Sequence, residues 1–315
     1  MSVQITEAFV KSYHANVFHL SQQMDARLAS KCRQESQNAE SDFWDRIGAV
    51  TAQLKVGRHS DTTYLDTPHS RRRVTLKDYN YADLVDKEDK IRMLMSPESE
   101  YVKAAVMALN RSKDDEFITQ ALGNAFGGVD GGTPIALPTS QKVAAHDGTT
   151  TTGVNLNVRT LRAVSKKFDD NDVDESLKKY MAISSSQKQS LLAQTEVTSA
   201  DFNTVRALVQ GQINEFMGFE FIRIQRLPVA ASNVTYNVAS GVVGSGTGTI
   251  TISTNPARRC IAWAEDGMLF ATASDIQARI DVLPTKHYST QVYASLHMGA
   301  TRMEEEKVVE VICAE

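Results

Sequence analysis

The acidic run from Asp169 to Glu175 is the part of the sequence closest to a metal-binding pattern. Asp170, Asp172 and Asp174 stand at alternate positions, as the first oxygen ligands of a calcium loop do. Glu175 then occupies the position that needs glycine, and Met181 occupies the position of the bidentate carboxylate. The pattern therefore favours a solvated acidic turn, and no metal site is predicted.

Other residue types that could do chemistry lack the spacing that chemistry requires. His14 and His19 are five residues apart, which does not place both on one helical face as in H-E-x-x-H. The glycine-rich run Gly244–Gly248 lacks the dinucleotide-binding spacing, and no phosphate-binding loop or serine-hydrolase elbow occurs. No catalytic residue and no cofactor are predicted. An enzyme whose active site is assembled from distant residues is the alternative that motifs leave open.

Composition and charge limit the class of protein. The 315 residues are 42% apolar and 23% charged, which is enough apolar material for a sizeable core. A net charge of −4 excludes a generally basic surface. If the protein encloses nucleic acid, it therefore does so without strong electrostatic binding to the phosphates. Cys32, Cys260 and Cys313 are far apart and odd in number, which predicts buried, reduced thiols. No signal-peptide or membrane-spanning pattern is present, so no membrane partner is expected.

The N-terminal segment has the pattern of an amphipathic arm. From about Ile5 to Ala29, apolar residues recur at helical spacing, and the polar run Lys31–Asn38 follows. The stripe consists of Val10, Tyr13, Val17, Leu20, Met24 and Leu28. Its apolar face must pack on the chain's own core or on a neighbour, and the sequence does not choose between them.

A long hairpin is predicted after the arm. Val50, Ala52, Leu54 and Val56 alternate with polar residues, as in a half-buried strand, and a second alternating stretch includes Val74 and Leu76. The polar, turn-rich residues 57–70 separate the two stretches. Such a hairpin is marginal alone in water and needs a surface to lie on.

The tight basic run Arg71–Arg73 lies in this hairpin and has two interpretations. In one, the three arginines contact an acidic patch on a neighbouring subunit. In the other, they form a solvated strand edge whose charges discourage stray pairing.

The strongest helical signal covers Pro97 to Leu122. Ser96 is a suitable N-cap, Pro97 suits the first helical position, and Gly123 is a natural stop. A helix of this span is roughly 39 Å long, at 1.5 Å per residue.

The remaining chain alternates between helices and strands, which predicts an α/β lobe followed by strands. Helices are predicted at Val158–Phe168, Ser186–Gln194 and Thr204–Phe216; strands at Tyr180–Ile183 and Phe219–Ile224; and a β excursion at Ser232–Ser253. Near the C-terminus, Asp266-Gly267 predicts a hairpin between Ile261–Ala264 and Met268–Ala271. Val292, Ala294, Leu296 and Met298 alternate as in a strand, and Lys307–Cys313 forms the last one.

Several segments resemble the major capsid proteins of tailed bacteriophages, whose coat fold is shared with herpesviruses. They are FWDRIG from Phe43, the stretch DTPHSRRRVTLKDYNYADLVDKEDKIRMLMSPESEYVKAA from Asp66, QTEVTSADFNTVRALVQGQINEFMGFEFI from Gln194, and the tail from Ala278 to Glu315. These segments are spread over nearly the whole chain and follow the family's order.

The resemblance implies an α+β fold with an N-arm, an extended β-hairpin called the E-loop, a peripheral domain with a long spine helix, and an axial domain. The implied boundaries are 1–40 for the N-terminal arm, 41–92 for the E-loop hairpin, 93–130 for the peripheral domain with the spine helix, 131–258 for the axial domain and 259–315 for the return to the peripheral domain.

The implied function is that of a major capsid protein that self-assembles, as pentamers and hexamers, into the icosahedral shell of a virion. It would enclose phage double-stranded DNA without sequence-specific binding, be assembled in the bacterial cytoplasm, and meet scaffolding, portal and cement or decoration proteins. The candidate subunit-interface residues are Val10, Tyr13, Val17, Leu20, Arg71, Arg72 and Arg73. The alternatives are an encapsulin-like compartment of the same fold and a two-domain α/β enzyme.

Overall fold

The computed structural model describes residues 21–55, 57–58, 61–62, 64–86, 98–145, 154–194, 215–230, 234–237, 249–252 and 257–315. Within these ranges the helices are α1 Glu98–Leu122, α2 Val158–Asp170 and α3 Ser185–Leu192. The strands are β1 Arg33–Ser36, β2 Ser41–Ile47, β3 His69–Thr75, β4 Lys77–Val85, β5 Ala125–Gly127, β6 Thr133–Ile135, β7 Lys142–Ala144, β8 Lys179–Ile183, β9 Glu215–Phe216, β10 Phe219–Arg223, β11 Val229–Ala230, β12 Val234–Asn237, β13 Thr249–Ile252, β14 Ala257–Ala264, β15 Met268–Leu283, β16 Ser289–Arg302 and β17 Val308–Ala314.

The chain divides into two compact units. Unit 1 contains the described residues within Met1–Ala26, Asp78–Ser112 and Ser274–His297. Unit 2 contains those within Arg27–Lys77, Lys113–Ala273 and Met298–Glu315. The five-part division into arm, E-loop, peripheral and axial domains stays a prediction.

Unit 2 is built on a 7-stranded mixed sheet. Its strand order is β7-β17-β14-β8-β10-β9, and β11 adds to β14. β14 and β17 pair antiparallel over seven residues, from Ala257 opposite Ala314 to Trp263 opposite Val308. Every residue of β17 is buried, so this strand is covered on both faces and shows no alternation of buried and exposed positions.

Aromatic residues hold the end of α1 against this sheet. Phe117 on α1 lies with its ring centroid 5.0 Å from that of Trp263 on β14, and the ring centroid of Tyr180 on β8 lies 5.8 Å from that of Trp263. The indole of Trp263 is fully buried and donates its hydrogen bond to the carbonyl of Lys31 at 2.9 Å. A buried tryptophan needs such a partner for its N–H, so this bond fixes the chain entering β1.

The C-terminal end of α1 is satisfied by an arginine from the far end of the sequence. The last carbonyls of a helix have no partner within the helix itself. Arg302 is fully buried and donates from Nη1 to the carbonyls of Gln120 at 3.2 Å and Ala121 at 2.9 Å, and also to that of Gly123. Its Nη2 donates to the carbonyl of Ile135 at 2.9 Å. The predicted stop at Gly123 is confirmed.

A buried carboxylate on α1 holds the chain where it enters unit 2. Asp114 accepts hydrogen bonds from the backbone N–H groups of Arg27 at 3.0 Å and Leu28 at 2.9 Å. This segment bends here instead of forming a helix. The prediction of one helix from Ile5 to Ala29 is therefore wrong for residues 21–28, where backbone donors that would bond within a helix bind Asp114.

Unit 1 combines the first part of α1 with a sheet in the order β15-β16-β4. Val292, Ala294 and Leu296 on β16 are fully buried, which confirms their predicted alternation. The opposite face of β16 is polar, and His297 on it lies with Nδ1 2.6 Å from a carboxylate oxygen of Asp78.

The helices predicted at Val158–Phe168 and Ser186–Gln194, and the strands predicted at Tyr180–Ile183 and Phe219–Ile224, are confirmed to within two residues. Within Ser232–Ser253, β12 and β13 form an antiparallel pair. The predicted helix Thr204–Phe216 falls mainly outside the described residues, although Glu215 and Phe216 lie in β9.

The hairpin predicted at Asp266-Gly267 is wrong. β14 belongs to the 7-stranded sheet, whereas β15 pairs with β1 and β16 in a different sheet. The turn is a corner, because Glu265 donates its N–H to Lys178 at 3.0 Å and Met303 donates to the carbonyl of Gly267 at 2.9 Å. These tertiary bonds separate two strands that the local sequence would pair.

Candidate interaction site on the β2–β3 hairpin

The β2–β3 hairpin separates its side chains into two faces. The strands pair antiparallel over seven residues, from Ser41 opposite Thr75 to Ile47 opposite His69. Because successive side chains in a strand point to opposite faces, Arg72 lies on one face and Arg71 and Arg73 lie on the other. The predicted basic run is therefore not one patch.

The inner face carries a buried ion cluster. The Arg72 side chain is 1% exposed, and its Nη2 lies 2.5 Å from both carboxylate oxygens of Glu305. Arg46 donates to the carbonyl of Met303, and its Nη1 lies 3.9 Å from Glu305. Burial lowers the pKa of the Arg72 guanidinium, and the Glu305 carboxylate acts in the opposite direction. This pair joins the hairpin to the segment before β17, inside one subunit.

The outer face alternates arginines with aromatic rings. Arg71 pairs with Asp45 at 3.0 Å, and its guanidinium carbon lies 5.7 Å from the ring centroid of Phe43. Arg73 lies 5.3 Å from the ring centroid of Phe126 on β5. Phe43 and Phe126 are 39% and 38% exposed. We call Phe43, Asp45, Arg71, Arg73 and Phe126 the arginine–phenylalanine patch.

The loop that contains Gly131 packs against one side of this patch. Gly131 has φ +61°, in the left-handed region that favours glycine. A Cβ at this position would lie 2.7 Å from Cδ of Arg73 and 2.8 Å from Cε1 of Phe43. Only glycine therefore allows the loop to lie against both side chains of the patch.

The hairpin continues beyond its strands into a tip, which we define as the described residues within 48–68. The strand predicted over residues 50–56 is wrong, because β2 ends at Ile47 and residues 48–55 lie in no strand. All of residues 48–55 are exposed, and Leu54 is 90% exposed. The tip therefore has a strand's alternation of apolar and polar residues but, among the described residues, no strand partner.

The predicted site residues fall into three groups. Val10, Tyr13, Val17 and Leu20 lie outside the described residues. Arg71 and Arg73 lie on the outer face, and Arg72 has its carboxylate partner, Glu305, in its own chain. Sequence reasoning missed Phe43 and Phe126 as parts of the patch. Strand alternation could have separated Arg72 from its neighbours, but no local signal joins it to Glu305, which is 233 residues away.

The acidic turn proves to be held by its own chain. Asp170 pairs with Lys166 at 2.6 Å, and Asp174 accepts the N–H of Ser176 at 2.8 Å, which lowers the pKa of Asp174. Nowhere in the described part of the chain do three His, Cys, Asp or Glu side chains come together as metal ligands.

The three cysteines are free and buried. Of the helices in the described ranges, none is long and apolar enough to span a membrane.

The comparisons with known proteins agree with this architecture. Residues 5–315 match the phage capsid protein family. No curated protein sequence shows significant similarity to the chain.

Among solved structures, the capsid structure of the cyanophage P-SCSP1u is similar with a TM-score of 0.70 at 14% identity, covering 99% of this chain and 94% of that one. The capsid of Ralstonia phage GP4 gives 0.70 at 9% identity, covering 97% and 95%. The head structure of the Helicobacter pylori bacteriophage KHP40 gives 0.69 at 12% identity, covering 99% and 98%.

The chain belongs to the phage capsid protein family, since the match covers nearly all of it. Its mixed sheets and few helices have the fold of phage capsid subunits, which confirms the fold predicted from the sequence.

Proposed function

We propose that the protein is the major capsid protein that self-assembles, as pentamers and hexamers, into an icosahedral shell around phage double-stranded DNA. The observation that carries this proposal is the family match over residues 5–315. Assembly would take place in the host cytoplasm, with scaffolding, portal and cement proteins as further partners. The role is structural, and the net charge of −4 suits a container that does not bind its DNA tightly.

The hairpin supplies the features that an interlocking subunit needs. The tip presents apolar side chains to solvent, and exposed apolar surface of this kind marks interaction sites. The arginine–phenylalanine patch has the composition of interface cores, which are enriched in arginine and aromatic residues. We propose that Arg71 and Arg73 contact acidic groups of a neighbouring subunit, that Arg72 holds the hairpin in place from within, and that Val10, Tyr13, Val17 and Leu20 pack the arm on a neighbour.

Expression of the full chain followed by analytical ultracentrifugation and negative-stain microscopy tests the proposal. Closed shells, or pentamers and hexamers, are the expected result, since many modest contacts add up on closure of a symmetric assembly. Co-expression with the scaffolding protein of the same phage is the second arm, for the case in which the chain alone stays monomeric. A monomer under both conditions would contradict the proposal. Shells that package a protein cargo in place of DNA would favour the compartment alternative.

A further inference from the structure

We propose that the basic face of α2 in one copy of the chain binds an acidic end of unit 2 in the next copy of the same pentamer or hexamer. This inference rests on the proposed function, because it needs identical copies side by side in a ring. We define the basic face as Arg159 and Arg162, and the acidic end as Asp172, Asp174, Glu175 and Glu306.

The basic face is the side of α2 that points away from the 7-stranded sheet. The other side of the helix packs against β7 and β17, and the ring centroid of Phe168 lies 6.0 Å from that of Phe219 on β10. Arg159 and Arg162 are exposed and, being three residues apart, are neighbours on the helix surface. Among the residues that the structure describes, neither arginine has a carboxylate within ion-pair distance.

The positive charge of this face is confined to the first half of α2. Lys166 also lies on the exposed side of the helix, but its Nζ is 2.6 Å from a carboxylate oxygen of Asp170, one turn further along. This pair at i and i+4 neutralises the lysine within its own helix. Arg159 and Arg162 are therefore the charges of this face that remain available to a partner.

The acidic end is built by two segments that meet beyond the C-terminus of α2. Asn171 donates a hydrogen bond from Nδ2 to the carbonyl of Glu306 at 3.1 Å, which ties the turn after α2 to the loop before β17. All four acids of the acidic end are exposed. Glu304 in the same loop pairs with Lys307 at 3.2 Å, whereas none of the four forms an ion pair within the described ranges.

One copy cannot join its own basic face to its own acidic end. Asp170, the last residue of α2, lies about 12 Å beyond Arg162 along the helix axis, at roughly 1.5 Å per residue, and the acidic end begins after it. An ion pair needs its nitrogen and oxygen within about 4 Å of each other. Both charged regions therefore stay solvated in a single copy.

A ring of copies solves this separation. In a closed ring each copy presents one surface to the neighbour on one side and a different surface to the neighbour on the other side. A subunit with separate basic and acidic regions can therefore use each region once. Complementary charges also fix the orientation of neighbours, because a reversed copy would bring like charges together.

Charge reversal with rescue tests the inference. Arg159→Glu combined with Arg162→Glu should lower the yield of rings and shells at least tenfold, and Glu175→Lys combined with Glu306→Lys should do the same. The variant with all four substitutions again has opposite charges across the contact, so its yield should return to within about twofold of wild type. Sedimentation separates subunits, rings and shells, and urea unfolding followed by circular dichroism checks that each variant subunit folds.

Two controls separate this contact from general effects of charge. The arginine variant combined with Asp25→Lys and Glu215→Lys has the same net charge as the rescued variant, but its reversed acids are exposed elsewhere on the chain, so it should not be rescued. Lys166→Gln combined with Asp170→Asn removes an internally paired charge from the same helix and should assemble like wild type.

The other outcomes each overturn the inference. A normal yield for the arginine variant, a folded four-substitution variant that is not rescued, or equal rescue by the relocated acids would do so while the proposed function stands. Shells of normal yield with less DNA would assign the two arginines to packaged DNA instead. If the wild-type chain forms neither rings nor shells with its scaffold, the proposed function itself fails.

Salt dependence gives an independent measurement. Arg159→Gln combined with Arg162→Gln removes the charge without reversing it, so wild type should assemble better than this variant at low salt. That advantage should shrink at least threefold between about 0.1 M and 1 M salt, because the screening length falls from about 10 Å to about 3 Å. An advantage that does not change with salt would contradict a contact between exposed charges.

Discussion

Arg71 and Arg72 are adjacent in sequence and differ in almost every physical respect. Arg72 is buried against Glu305, with both carboxylate oxygens at 2.5 Å. Arg71 stands on the outer face of the same strand, half exposed, with an exposed partner in Asp45. The Arg72–Glu305 pair is shielded from water, whereas the Arg71–Asp45 pair is solvated. The contrast shows that the inner face of the hairpin is closed within one subunit, whereas the outer face is exposed.

Breaking the buried pair should have the largest effect. Arg72→Ala leaves the Glu305 carboxylate buried without its main partner, which costs about 3–5 kcal/mol. Urea unfolding of the full chain, followed by circular dichroism, measures this loss as a lower midpoint. Glu305→Gln keeps the side-chain shape and provides a milder variant if Arg72→Ala does not fold.

A double substitution sharpens this prediction. Arg72→Met with Glu305→Leu removes both charges, and well-packed apolar replacements of a buried ion pair are often neutral or stabilising. The double variant should therefore recover most of the stability that Arg72→Ala loses. If the double variant unfolds at the same urea midpoint as Arg72→Ala, the loss of stability does not come from the unpaired Glu305 carboxylate.

Replacing the glycine that closes the patch should have an intermediate effect. Gly131→Ala places a residue with a side chain at φ +61° and brings its Cβ within 2.8 Å of Arg73 and Phe43. A loss of about 1–3 kcal/mol is expected for such backbone strain. Gly132→Ala is the matched control, because a Cβ there meets nothing within 4 Å, and its stability should change by less than about 0.5 kcal/mol. Thermal melts that show equal losses for the two variants would contradict this account of the loop.

Removing the exposed pair should have the smallest effect on folding. Arg71→Ala should cost roughly 0.2–1 kcal/mol, because an exposed ion pair is screened by solvent and salt. The midpoint of urea unfolding should lie close to that of wild type. A loss as large as that of Arg72→Ala would show that the two faces are not energetically distinct.

The same residue should matter more for assembly than for folding. Arg71→Glu should lower the yield of shells at least tenfold while the isolated subunit unfolds near the wild-type midpoint, because the proposed neighbour is acidic. Sedimentation separates shells from unassembled subunits in the same sample. Normal shell yield with Arg71→Glu would remove Arg71 from the interface proposal.

Local sequence signals predicted the helices and strands that are determined by residues close together in the sequence. The end of α1 at Gly123, the span of α2 and the alternation on β16 were all predicted, because helix stops and strand periodicity are properties of short segments. The family resemblance supplied the overall fold, which comparison with solved capsids confirms. The arm residues of the predicted site lie outside the described residues, so their role stays a prediction.

The sequence alone therefore predicted the three helices Glu98–Leu122, Val158–Asp170 and Ser185–Leu192, several of the strands and, through its resemblance, membership of the phage capsid family. Only the tertiary structure decided which strands meet. It placed β14 and β15 in different sheets although the turn between them favours a hairpin, and it left residues 50–55 without a strand. It also joined Arg72 to Glu305, which is 233 residues away in the sequence. The physical reason is that pairing and burial depend on residues hundreds of positions apart, and local patterns carry no information about which distant segment will cover a given face.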